Sequence, residues 1–75
     1  MTKPEAEAAL IEAGFTFRPR DYWVAPETSP YVRAIVRETA PNAFKVAAET
    51  RGGGSVFWGQ VGALRISLKL LPVTL

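Results

Sequence analysis

The apolar residues near the start of the chain recur at helical spacing. They form one stripe at positions i, i+3, i+4 and i+7: Ala6, Ala9, Leu10 and Ala13. Thr2 and Glu5 have the spacing of a capping box, and Pro4 stands where the first turn of a helix needs no N–H. Gly14 is suited to end the helix. The segment "TKPEAEAALIEAG" therefore predicts one amphipathic helix.

The middle of the chain changes to a period of two. The runs "YVRAIVRE" and "AFKVAAET" alternate apolar and polar positions, which is typical of half-buried strands. A five-residue loop over residues 39–43 pairs them with apolar residues opposite apolar residues. The earlier segment "FTFRPRDYWV" predicts a first hairpin with Pro19-Arg20 as its loop. In that register Trp23 lies on the side opposite to Phe15 and Phe17.

The glycine-rich stretch "RGGGSVFWGQVGAL" predicts two further turns. It lacks the lysine and the following helix that a phosphate-binding P-loop needs. A four-residue loop over Arg51–Gly54 opposes Ala48 to Phe57. A two-residue loop that begins at Gly62 then returns residues 64–70 as another strand. The resulting inward set is Val32, Ala34, Val36, Phe44, Val46, Ala48, Phe57, Val61, Leu64, Ile66 and Leu68.

These elements predict an α+β fold, with an N-terminal helix packed on an antiparallel meander sheet of four to six strands. The whole chain, residues 1–75, is interpreted as a single domain, because 75 residues suffice for only one core. So short a chain buries a modest share of its surface, which favours oligomerisation or partner binding.

The same register predicts an outward face of basic and aromatic residues with Trp58 near its centre. Aromatic residues and arginine are enriched at binding interfaces. The candidate partner-binding residues are Trp58, Arg65, Arg37, Lys45, Ile35, Gln60, Lys69, Arg33 and Trp23. Two other interpretations remain open for Trp58. The tail "LLPVTL" or the first hairpin packs over it as a second layer, or it lies in a subunit interface.

Composition argues against catalysis. The chain has no histidine and no cysteine, and its seven carboxylates are scattered over the predicted elements. We therefore predict no catalytic residue, no metal site and no cofactor. No apolar run is long enough to span a bilayer, and the acidic N-terminal segment lacks a signal-peptide core, so a cytoplasmic protein without a membrane partner is expected.

The charge is unevenly distributed along the chain. Residues 1–13 carry one lysine against three glutamates, whereas residues 14–75 carry eight cations against four carboxylates. Such asymmetry is informative about partners rather than about fold. It favours an acidic protein surface as the partner and leaves nucleic acid possible.

The stretches "LIEAGFTF", "YWVAP" and "RAIVRETAPNAFKVAAET" resemble the small accessory proteins of phages and mobile elements, a class that includes anti-CRISPR inhibitors. The resemblance is one of size, compactness and helix-then-meander organisation, and no functional residue carries over. It implies a stoichiometric binder that blocks a protein or nucleic-acid site.

The sequence thus predicts a non-catalytic binding protein, an inhibitor that docks its partner through the basic and aromatic sheet face. One alternative is a single-stranded nucleic-acid-binding module, because sheets that present aromatic residues between cations stack bases. The other is a structural homo-oligomer or virion component.

Overall fold

The computed structural model describes residues 1–70 as a five-stranded antiparallel sheet with a helix at either end. The strands follow one another in the order β1-β2-β3-β4-β5, so the sheet is a meander. The elements are α1 (Lys3–Glu12), β1 (Thr16–Arg18), β2 (Tyr22–Val24), β3 (Tyr31–Ala40), β4 (Ala43–Thr50), β5 (Ser55–Trp58) and α2 (Val61–Ser67). The predicted α+β class, with its N-terminal helix and meander sheet, is confirmed.

Helix α1 begins at the predicted capping box. The Thr2 hydroxyl accepts a hydrogen bond from the Glu5 amide at 3.2 Å, and the Glu5 carboxylate accepts one from the Thr2 amide at 2.8 Å. This second bond, from the Thr2 backbone to the charged carboxylate, holds the pKa of Glu5 below its usual value. The helix ends shortly before Gly14, whose φ of 89° is readily adopted only by glycine.

The hairpin between β3 and β4 has the predicted register. Arg33 lies opposite Glu49, and Arg37 opposite Lys45. The strands extend further than predicted, to Ala40 and Ala43, because an irregularity after Glu38 allows a tight turn at Pro41-Asn42. Asn42 occupies the left-handed region with φ of 60°, a conformation that asparagine tolerates.

The first hairpin differs from the prediction by one residue. Phe17 pairs with Trp23, so the connection has three residues, and two of them, Arg20 and Asp21, have positive φ. A slip of one residue exchanges the faces of a strand. Trp23 therefore shares the side of Phe17, and the residue is buried in the core with only 5% of its surface exposed. The predicted outward position of Trp23 was wrong.

The hairpin between β4 and β5 also differs by one residue. The Thr50 amide donates to the Gly54 carbonyl at 2.8 Å, and Gly53 has a φ of 90°. This is a three-residue connection with glycine in the left-handed position. Ala47 pairs with Phe57, so β5 turns Phe57 outward and Trp58 inward. The predicted inward Phe57 and outward Trp58 were wrong.

Residues 64–70 do not form the predicted strand. Val61–Ser67 form α2, and Gly62 lies within the first turn of that helix rather than in a hairpin loop. Leu64 and Leu68 are four residues apart, a spacing that fits either a helix face or a strand face. Ile66 distinguishes the two, because it would lie inside a strand with the leucines but is 78% exposed on the helix.

Both helices pack on the same side of the sheet and bury its inward residues. The buried core is Ala6, Ala9, Leu10, Phe15, Trp23, Ala25, Ala34, Val46, Ala48 and Leu64. Alanines on α1 meet alanines on the strands, which allows the helix to lie close to the sheet. An ion pair joins the two helices, because Arg65 on α2 donates to both carboxylate oxygens of Glu12 at 2.6 and 3.3 Å.

Candidate docking surface

The side of the sheet that faces away from α1 and α2 is uncovered within residues 1–70. We call it the open face. Its positions follow from the strand registers, because side chains alternate between the two sides of a strand. They are Thr16, Arg18, Tyr22, Val24, Arg33, Ile35, Arg37, Lys45, Ala47, Glu49, Ser55 and Phe57. The open face is the candidate site because the centre of the other side of the sheet packs against α1 and α2.

An apolar row crosses the middle of the open face. Ile35 lies opposite Ala47, and Ala47 opposite Phe57, while the pairing of β2 with β3 places Tyr22 beside Ile35. Phe57 is 59% exposed at the β5 end of this row. A large aromatic side chain left in water loses the stabilisation that burial gives, about 1.5–3 kcal/mol, so its exposure is suited to a contact with another molecule.

Cations flank the apolar row. The ammonium group of Lys45 lies 4.9 Å from the centre of the Phe57 ring, within the range of a cation–π contact. Arg33 is paired with Glu49 at 3.2 Å, with both side chains about half exposed. Among the described residues, Arg18 and Arg37 have no carboxylate partner. The charge that remains after pairing is therefore positive.

A shallow groove of about 250 Å³ runs along the open face between the charged and apolar residues. Its walls include Arg33, Arg37 and Phe57, and Ala47 lies at its floor. The small side chain of Ala47 between larger neighbours produces the depression. The groove is open to solvent and is not an enclosed ligand pocket.

Four of the predicted site residues do lie on the open face: Arg33, Ile35, Arg37 and Lys45. They all belong to the β3–β4 hairpin, whose register was predicted correctly. Phe57, Tyr22 and Arg18 were missed. A prediction that gave the β1–β2 and β4–β5 hairpins three-residue loops, each with a residue of positive φ, would have placed these three residues on the open face.

Trp58 lies on the covered side of the sheet. Its indole Nε1 donates to the Ser67 hydroxyl at 2.8 Å, and its ring meets Tyr31 edge to face at a centroid distance of 5.4 Å. The part of the chain that packs on Trp58 is α2, which was not among the predicted covers, and not the first hairpin. The predicted tail over Trp58 falls mainly in residues 71–75, outside the described residues.

The other predicted contacts are dispersed. Arg65 lies on α2, where its guanidinium binds Glu12 and its side chain is only 14% exposed. Gln60 is the residue that precedes α2, and Lys69 follows α2 with a φ of 59°. None of these three joins the open face, so the predicted continuous site around Trp58 was wrong in its geometry.

Metal-ligating clusters and membrane-spanning helices are both absent from the described part of the chain. Within residues 1–70, no group of three or more carboxylates is placed to hold a metal ion. No helix in this part of the chain is long and apolar enough to cross a bilayer. The notable chemistry of the surface is thus the contrast between exposed apolar groups and unpaired cations.

Comparisons with known proteins do not assign this surface. No known protein family matches the chain, and no significant match was found among curated proteins or solved structures.

Proposed function

We propose that this chain is a non-catalytic binding protein that docks an acidic partner protein through the open face. The observation that carries the proposal is Phe57, which stands 59% exposed with the Lys45 ammonium over its ring. An exposed aromatic ring beside cations is the arrangement found at the centre of many protein interfaces. In this proposal the chain acts stoichiometrically, by occupying a surface of its partner, as an inhibitor does.

The charges of the open face support an acidic partner. Glu49 is the one carboxylate on this face within residues 1–70, and Arg33 already neutralises it. Arg18, Arg37 and Lys45 remain to attract negative charge. Two copies of the chain placed face to face would bring these cations together, and like charges across an interface cost several kcal/mol. The face therefore favours a different molecule over a second copy.

The spacing of the aromatic residues supports a protein rather than a nucleic acid. Tyr22 and Phe57 are separated by β3 and β4, a distance of roughly 14 Å at about 4.8 Å per strand. Ile35 and Ala47 fill the interval, and aliphatic side chains offer no flat surface on which bases stack. An aliphatic centre with charged margins is more typical of a protein interface.

Site-specific photo-crosslinking tests the proposal. We would replace Phe57 with p-azidophenylalanine, which keeps the aromatic ring, and place the same residue at Ile66 on the far side of the molecule as a matched control. In extract of the source cells, treated with nuclease, we expect a protein adduct from position 57 and none from position 66. The double variant R37E/K45E should lose the adduct, because it reverses two of the attracting charges.

Two results would count against the proposal. An adduct that disappears with nuclease, together with binding of a single-stranded oligonucleotide that weakens steeply with salt, would establish the nucleic-acid alternative. An adduct that forms equally from positions 57 and 66, or that survives the charge reversal, would show that the open face is not the docking surface.

A further inference from the structure

Strand β5 is an edge of the sheet, and within residues 1–70 some of its backbone groups have no hydrogen-bond partner. The Thr50 amide donates to Gly54, so alternate residues along β4 point their backbone groups toward β5. Their partners on β5 are Val56 and Trp58, which lie opposite Ala48 and Val46. The N–H and C=O groups of Ser55 and Phe57 consequently point away from the sheet.

The backbone groups of Ser55 and Phe57 meet no partner within residues 1–70. The two edges of the sheet differ in this respect. Strand β1 is three residues long, ends at Arg18 and is followed by Pro19 and Arg20, and short length, charge and proline are the usual protection of an edge. Strand β5, "SVFW", has no charge and no proline. It is the edge that is open to a further strand.

We infer that an extended segment of the partner adds to β5 as a sixth strand. This inference rests on the proposed function and names the part of the partner that makes the contact. Backbone hydrogen bonds to Ser55 and Phe57 supply affinity in such complexes, and side chains that alternate along the added strand supply specificity. The residue pattern of the partner's segment then depends on the side chains that each of its two faces contacts.

The neighbours of β5 define the pattern of the partner's segment. On the open face the segment lies beside Phe57, where the Lys45 ammonium 4.9 Å from the ring centre is in reach of a carboxylate. On the other side it lies beside Val56 and Trp58, which are half-buried and apolar. The segment that fits alternates acidic and apolar residues. A second copy of β5 fits less well, because it brings two Lys45 side chains to one seam.

Amide exchange with a defined peptide tests this inference. The probe is a short N-acetylated, C-amidated peptide in which valine and glutamate alternate, with the valine–lysine analogue as its control. We expect the glutamate peptide to slow hydrogen exchange at the Ser55 and Phe57 amides and to leave those of Val56 and Trp58 unchanged. The lysine analogue should bind about tenfold more weakly or not at all, because Lys45 repels it.

A pair of variants isolates the backbone contribution. S55P removes an N–H that points away from β4, so proline is tolerated there as on other edge strands, and it should weaken peptide binding about tenfold or more. S55A, which keeps the N–H, should bind as the native chain does. Should S55P unfold the protein, the exchange pattern of the native chain still decides the question.

Several outcomes would overturn the added strand without touching the proposed function. One is peptide binding that leaves the Ser55 and Phe57 amides unprotected, which would place the contact on the open face alone. Another is protection of both amides before any peptide is added, which would mean that a second copy or another part of the chain already occupies the edge. A third is equal binding of the two peptides. Loss of the crosslink at position 57 would instead remove the proposed function itself.

Discussion

The two sides of the sheet are built from the same five strands but differ in how they are completed. On the covered side, Ala34 and Ala48 leave room for α1 and α2, whose Leu10 and Leu64 are fully buried. On the open face the large apolar residue Phe57 lies beside Lys45, and no helix within residues 1–70 covers it. The difference shows that the two helices bury the centre of one side of the sheet, whereas Phe17 at the β1 edge of that side is still 50% exposed.

The largest effect that tests this comparison is expected at α2. Leu64 is fully buried, whereas Ile66, two residues away, is 78% exposed. L64A should reduce the free energy of unfolding by about 2–5 kcal/mol, the usual range for a buried leucine. I66A should change it by less than about 0.5 kcal/mol. Urea denaturation followed by fluorescence measures both, and equal effects would contradict the helical assignment of Val61–Ser67.

Substitutions at the neighbouring residues Trp58 and Phe57 allow the covered side and the open face to be compared directly. Trp58 is half-buried, with a hydrogen bond from its indole to Ser67, so W58A should lower the free energy of unfolding by about 2 kcal/mol, somewhat less than for a fully buried aromatic residue. F57A should leave stability within about 0.5 kcal/mol of the native chain and abolish binding of the valine–glutamate peptide. The opposite order in thermal unfolding would mean that β5 presents its other face.

A smaller effect is expected at the turn that determines which residues of β5 face outward. Gly53 has a φ of 90°, and an added Cβ would meet nothing within 4 Å, so only backbone strain opposes a larger residue. G53A should therefore cost about 1 kcal/mol. The matched variant G52A, in open space without a positive φ, should be neutral or slightly stabilising. Similar unfolding midpoints for the two variants would argue against the three-residue turn.

The smallest effect concerns the ion pair that joins the two helices over the covered side. The hydrogen bond from Arg65 holds the pKa of Glu12 below its usual range. The contribution of this ion pair to stability is therefore present above about pH 4.3, the ordinary pKa of glutamate. It is lost as the pH falls through the lower pKa that Glu12 has in the folded state. E12Q should be less stable than the native chain near neutral pH.

This difference in stability should shrink on acidification. Denaturation curves recorded near neutral pH and at about pH 3 provide the comparison. A constant difference across that range would mean that the carboxylate charge of Glu12 contributes nothing. The charge-conserving variant R65K is a useful control, because it keeps the cation but not the two-point contact with both carboxylate oxygens.

Much of the fold could be predicted from the sequence, because helix α1 and the β3–β4 hairpin carry strong local signals. The capping box of Thr2 and Glu5 marks the start of helix α1, and the long alternation of apolar and polar residues in β3 and β4 determines the register of their hairpin. In both elements, many apolar positions follow the same repeat, which is helical in α1 and alternating in β3 and β4. The four open-face residues predicted correctly all come from this hairpin.

The remainder of the site depended on loop lengths that the sequence left ambiguous. The strands β1, β2 and β5 have only three or four residues, so one residue more or less in a turn decides which face each side chain occupies. Alternation within so few residues fits either register. At α2 the spacing of Leu64 and Leu68 fits a helix as well as a strand, and only packing against α1 and β5 favours the helix.

The sequential order of the strands also has a kinetic consequence. Each strand pairs with its neighbour in the chain, so all four hairpins can close over short loops and need no partner strand that is distant in the sequence. Folds dominated by local pairings cross a lower entropic barrier than sandwiches or barrels of similar size. We expect a main refolding phase within milliseconds, measurable by stopped-flow tryptophan fluorescence, with the docking of α1 against α2 as the step that brings the two helices together.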